Sequence, residues 1–188
     1  MWQLILDILN KLFAPNQPIS TPTPVPMTLP KVPNTGIKLP VDDYRNKLRA
    51  LATGPKYLPK KDDKGNITET YCNFFVESVC HWFGYFGLDN LMANQMYDIL
   101  RTNNILWKHI NNDEAIQWAF QGKLVIAAQQ NLNAHGHINV IAPENQKIHS
   151  EKWNQDVPLC ANVGSNNFYG RGINFGFKLP PEIFLYLG

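Results

Sequence analysis

A cysteine and a histidine, the residue pair that carries thiol acyl transfer, stand 65 positions apart in this chain, each in a suggestive local setting. Cys72 follows Glu69-Thr70-Tyr71, the end of a polar, glycine-containing stretch, and opens an apolar segment in which Phe75, Val76, Val79 and Phe83 fall at helical spacing. His137 follows Gly136 and opens the alternating run Ile138-Asn139-Val140-Ile141. The thiolate, not the thiol, is the nucleophile, and both a helix N-terminus and a neighbouring imidazolium favour it. A cysteine at a helix start facing a histidine at a strand start therefore predicts a covalent acyl-enzyme, with His137 as the base.

The other cysteines and histidines read as bystanders. Cys80 lies deep in the same apolar helix and Cys160 between Leu159 and Ala161, both as core fillers. Buried free thiols are the expectation, with a Cys80–Cys160 disulfide as the alternative. His135 is expected on the same side as His137 and is the second candidate base, or a substrate contact. His81, His109 and His149 read as surface residues. A base needs an acceptor on its second ring nitrogen; Asn162 is the first choice and Glu144 the alternative. The backbone N–H of Cys72 is the expected oxyanion donor, with the hydroxyls of Tyr57 and Tyr71 as further candidates. Tyr71, Asn73, His135 and Trp153 are the expected substrate contacts, with Asn166, Asn167 and Tyr169 near them.

Elements to position these residues are legible in the pattern. Residues 1–14 read as an amphipathic helix built on Trp2, Ile5, Leu6, Leu9, Leu12 and Phe13. Residues 15–40 hold eight of the fourteen prolines and predict an extended linker. Residues 41–188 are left as the folded domain. Within it, helices are expected from Asp42 or Asp43 to Ala52, Cys72 to Trp82, Leu91 to Arg101, and Asn111 to Gly122, the last with an Asn111/Glu114 capping box. Strands are expected over Leu124–Ala128, His137–Ile141, Leu159–Val163 and Ile173–Phe177, with the Asn/Gly-rich residues 162–172 as a spacer. Helices followed by strands define an α+β class, the Cys72 helix packing on an antiparallel sheet.

Bulk properties exclude several functions. A net charge of +2 without a Lys/Arg cluster argues against nucleic acid as partner. Three cysteines, none in a CxxC pair, give neither a disulfide framework nor a zinc knuckle, and no metal is expected. No apolar run reaches a membrane span, and the N-terminus lacks the basic start and cleavage site of a conventional signal peptide. Residues 1–14 could tether the chain weakly to a membrane or a partner. A monomer is expected.

Thr70-Tyr71-Cys72-Asn73 with Phe75, Gly136-His137 leading into Ile138–Pro143, and the tail Asn162-Val163-Gly164 to Asn174-Phe175-Gly176-Phe177 resemble the NlpC-type and CHAP-type peptidoglycan hydrolases. The similarity spans roughly residues 70–177 and is specific around Cys72 and His137. It implies a papain-like fold and a cysteine peptidase or amidase acting on cell-wall peptides, with Cys72, His137 and Asn162 catalytic and no cofactor. It further implies peptidoglycan as partner and the bacterial cell wall as the place of action; a cysteine protease or transamidase acting on a protein substrate, or an inactive wall-binding module of the same fold, is the alternative. Two features depart from the family pattern: Tyr71 and Asn73 replace the usual neighbours of the cysteine, and the His137–Asn162 segment is longer than a short hairpin.

Overall fold

The larger helices precede the main run of strands, as the change in hydrophobic period predicts, but short strands are interspersed among the helices. The computed structural model describes residues 36–188 and the backbone of a two-residue strand, β1 (Thr23–Pro24). The expected helix over 1–14 and most of the proline-rich segment lie outside the described residues. Next come α1 (Val41–Thr53), the small hairpin β2 (Lys60–Lys61) and β3 (Ile67–Glu69), α2 (Cys72–Trp82), α3 (Ala93–Thr102), β4 (Trp107–Ile110) and α4 (Asn112–Phe120). Six strands complete the chain: β5 (Val125–Gln129), β6 (His137–Ile141), β7 (Gln146–Ser150), β8 (Gln155–Asn162), β9 (Phe168–Gly172) and β10 (Glu182–Tyr186).

The strands form one curled antiparallel sheet in the order β1-β7-β8-β6-β5-β10-β4, with β9 also paired to β8. The long strand β8 pairs with β7 through its first half and with β6 and β9 through its second. One face of the sheet is covered by α1, α2 and α3, whose buried Leu48, Phe75, Val79 and Met96 meet Ile126, Ile138 and Val140. The other face is covered by α4, with Ala115 and Trp118 against Val125, Ile141 and Cys160. Strand alternation divides β6 accordingly: Ile138 and Val140 face α2, whereas Asn139 and Ile141 face the opposite layer. A fully buried Phe75 contributes about 1.5–3 kcal/mol by leaving water, and it anchors the helix that carries Cys72.

Several expectations need correction. Ile173–Phe177 is not a strand: Ile173–Phe175 form a 3-10 turn, and Gly176 and Phe177 are drawn under the end of β6. The Asn/Gly-rich stretch after Asn162 is not all spacer, because Phe168–Gly172 pairs with β8 as β9, with Gly170 at φ +75 taking the local bend. Strands β4, β7 and β10 stand where no strand was expected; Lys108 and His109 break the apolar pattern of β4 and Lys147 and His149 that of β7, whereas β10 is an unbroken apolar run after Glu182. Pro40 stands at the N-cap of α1, so Asp42 and Asp43 occupy its first turn and favour the helix through its dipole. The fold starts before residue 41: the Ile37 and Leu39 amides donate to Gly188 and Gly122 carbonyls. The capping box of α4 forms as expected, Asn111 Oδ1 accepting from the Glu114 amide at 2.9 Å. All three cysteines are free and buried, which removes the Cys80–Cys160 disulfide.

Candidate active site

Cys72 is the first residue of α2, and the residue before it, Tyr71, makes no side-chain cap. Serine or aspartate at that position would consume first-turn amides; tyrosine leaves them to the thiol and to whatever binds beside it. The backbone N–H groups of Ile138, Asn73 and Cys72 itself lie near the Cys72 sulfur and favour its thiolate. The first of these puts the thiol near the amide of Ile138, the residue after His137, on the face of β6 that α2 packs against.

His137 begins β6. Its Nε2 lies 2.7 Å from Asn162 Oδ1, at the end of β8. The orientation of that amide is fixed independently, because Asn162 Nδ2 donates to the Asn166 carbonyl at 2.7 Å. Oδ1 must therefore face the ring, Nε2 must carry the hydrogen, and Nδ1 is left with its lone pair free. The order Asn166 C=O, Asn162 amide, His137 imidazole holds the ring in one tautomer without adding charge. Glu144, the alternative acceptor, is elsewhere: it takes the Arg45 Nε–H at 3.1 Å and the Tyr169 hydroxyl at 2.8 Å.

Three residues missed as site residues pack this pair. The Phe177 ring lies 4.9 Å from the imidazole, centroid to centroid, and is itself 4% exposed, so it covers one side of a histidine that stays partly exposed. Gly176 closes on the amide: a Cβ there would stand 2.6 Å from Asn162 Oδ1. Gly164 approaches the ring from the other direction, its Cβ position 3.2 Å from His137 Cε1. The hints of these contacts in the sequence were the stretch Asn162-Val163-Gly164 and the Asn-Phe-Gly-Phe tail, the latter alternating like a strand.

Electrostatics oppose the expected depressed thiol. Burial pushes the Cys72 thiol above its ordinary range, and the three backbone amides offset this only in part. Burial likewise holds the His137 imidazole below its ordinary value, with the Asn162 bond opposing. The resting pair is therefore neutral thiol and neutral imidazole. A neutral pair still supports general-base attack, the proton moving to Nδ1 as the sulfur bonds to carbon.

The thiol opens onto a cleft of about 430 Å³ lined by Tyr71, Cys72, Asn73, Phe74, Met92, Asn94, His135 and the β3 hairpin. Tyr71, Asn73 and His135 thus share the cleft with Cys72, whereas Trp153 does not: it sits in the β7–β8 turn, packed on the layer that includes Phe177. The Asn73 amide is already engaged, donating to the Leu91 carbonyl at 2.9 Å. The Tyr71 hydroxyl donates to Glu69, and the Tyr57 hydroxyl lies with Phe74 O and Ser78 Oγ, so neither hydroxyl is free to act as an oxyanion donor. Asn167 donates to the Tyr57 carbonyl and Tyr169 to Glu144, so both brace loops. His81, His109 and His149 lie at the surface. Among the described residues, Glu77, His81 and Asp89 could jointly hold a cation, their ligand atoms lying within 4.8 Å of one another. They stand at the far end of α2 from Cys72, and the His81–Asp89 contact of 2.7 Å already pairs two of them. No protein-family model matches this chain, and no curated protein matches it.

Proposed function

We propose that this chain is a papain-like cysteine hydrolase that cleaves amide bonds through an acyl-enzyme on Cys72. The observation that carries the reading is the 2.7 Å bond from His137 to an Asn162 amide held in one orientation, together with a thiol seated at a helix start. In this mechanism the Cys72 sulfur attacks the substrate carbonyl as its proton passes to His137 Nδ1. The oxyanion rests on the Cys72 amide, the protonated imidazole delivers its proton to the leaving amine, and water activated by His137 then frees the acyl group. Asn162 holds the ring throughout, and no cofactor takes part. Cell-wall stem peptides are the substrate that the resemblance around Cys72 and His137 favours, which would place the chain at the bacterial wall.

A second reading, a protein or peptide substrate, has one observation in its favour. Ile67, Phe74 and Met92, which line the cleft, are 41%, 44% and 51% exposed. They offer an apolar surface to a large side chain beside the cleaved bond. The test is digestion of purified peptidoglycan and of a mixed peptide library by the wild type and by Cys72→Ala, with fragments identified by mass spectrometry. Fragments from the wild type alone support the thiol mechanism, and their source names the substrate. Equal fragments from both proteins, or none from either, would sink it.

A further inference from the structure

Asn139 stands in the middle of β6 among Ile138, Val140 and Ile141, and it is 0% exposed. A buried amide among apolar neighbours is costly unless its polar atoms are paired. Its Oδ1 has no hydrogen-bond partner among the described residues. Its Nδ2 has two: Cys160 Sγ at 3.3 Å and Asn162 Oδ1 at 3.5 Å. The second is the same oxygen that faces His137 Nε2. The side chain is gripped in this place, since a Cβ on Gly176 would lie 3.1 Å from Asn139 Nδ2.

We propose that Asn139 is a positioning residue for His137, acting through the Asn162 amide. Two N–H groups then converge on Asn162 Oδ1, one from the imidazole and one from Asn139. Were the Asn162 amide to turn over, its NH₂ would face the Asn139 NH₂, donor against donor, while its oxygen would face the Asn166 carbonyl. Asn166 and Asn139 thus hold the amide from opposite ends. The consequence is at the histidine: with Oδ1 fixed, Nε2 keeps the hydrogen and Nδ1 stays the base. A hydrophobic residue would pack this position better and hold the amide less well, so stability and function make opposite demands on it. The inference rests on the proposed role of His137.

The test compares full-length wild type with Asn139→Leu and with Asn139→Val, the smaller variant covering the case in which leucine does not fold. Three quantities are read, none of which needs a substrate: the thermal midpoint, the His137 tautomer from imidazole ¹⁵N shifts, and the rate of Cys72 alkylation by iodoacetamide. The expected result is an equal or higher midpoint, a shift of His137 from the Nε2–H form toward a mixture, and about fivefold slower alkylation, the factor corresponding to about 1 kcal/mol for one neutral hydrogen bond. A folded variant with an unchanged tautomer and rate would overturn the proposal. A purely structural role would lower the midpoint and leave the tautomer alone. If the wild type hydrolyses nothing yet the variants shift the tautomer, the positioning role stands and the catalytic reading falls.

Discussion

Replacing Gly176 by alanine tests the site at its tightest point. The backbone there has φ −92 and ψ −23, which any residue adopts, so the substitution adds no backbone strain. What it adds is a methyl group 2.6 Å from Asn162 Oδ1, where ordinary contact begins at 3.4 Å. The oxygen must withdraw by about 0.8 Å, and the neighbouring Asn139 amide, 3.1 Å from the same methyl, blocks one way out. Withdrawal along the His137 direction is closed by the ring itself at 2.7 Å, so the amide rotates or recedes and that bond is stretched or lost. Overpacking of this kind costs about 1–3 kcal/mol of stability, which leaves a folded chain. The functional effect is larger, because a misplacement near 1 Å in a catalytic constellation costs roughly 100-fold in rate. The assay is the alkylation rate of Cys72, read together with the His137 ¹⁵N shifts and, once a substrate is in hand, with hydrolysis. Gly164→Ala serves as the milder comparison, since its methyl's one tight contact would be the ring carbon at 3.2 Å; a drop of about tenfold is expected there. A folded Gly176→Ala chain that reacts within twofold of wild type, with unshifted imidazole nitrogens, would refute the reasoning that Asn162 positions the base.

Iodoacetamide at neutral pH should label Cys72 alone, because Cys80 and Cys160 are wholly buried and far less acidic; labelling of all three in the folded chain, seen by peptide mapping, would contradict the cleft. Since burial lowers the His137 pKa, the unfolded chain binds this proton first, so stability should fall as pH drops below about 6.5. Urea unfolding of wild type and His137→Gln across that range checks the sign, with a shallower slope expected in the variant. The acid limb of the rate profile should likewise lie below the ordinary histidine value, and Asn162→Asp should move it upward by placing a carboxylate on the ring. Arg45 binds Glu144 and the Pro143 carbonyl with only 22% of its side chain exposed, so Arg45→Met should cost about 1–3 kcal/mol in thermal or urea unfolding and leave alkylation of Cys72 unchanged.

The parts that could be read in the sequence were those set by short-range rules. The helix from Cys72 to Trp82 follows from the spacing of Phe75, Val76 and Val79, and its bounds agree with the observed element. The capping box at Asn111 and Glu114 and the strand from His137 to Ile141 were legible for the same reason. Among the strands that were missed, β4, β7 and β10 carry their charges and aromatics at positions whose burial depends on which neighbour arrives; Glu182–Tyr186 becomes a strand by pairing with β4 on one side and β5 on the other. The misread tail, Ile173–Phe177, alternates like a strand but is claimed by the histidine, with Phe177 buried against the ring.

By itself the sequence determined which residues could do chemistry and on which local elements they stand: a thiol opening a helix, an imidazole opening a strand, an amide ending another. It also determined the α+β class, because hydrophobic period is a property of neighbouring residues. It left open whether Asn162 or Glu144 meets His137, and it pointed to a depressed thiol where burial leaves a raised one. Both are matters of tertiary structure. The acceptor depends on the pairing of β6 with β8, which brings position 162 beside 137 and leaves Glu144 to Arg45. The thiol's acidity depends on how much water the packed sheet removes from it, a quantity set by every layer of the fold at once.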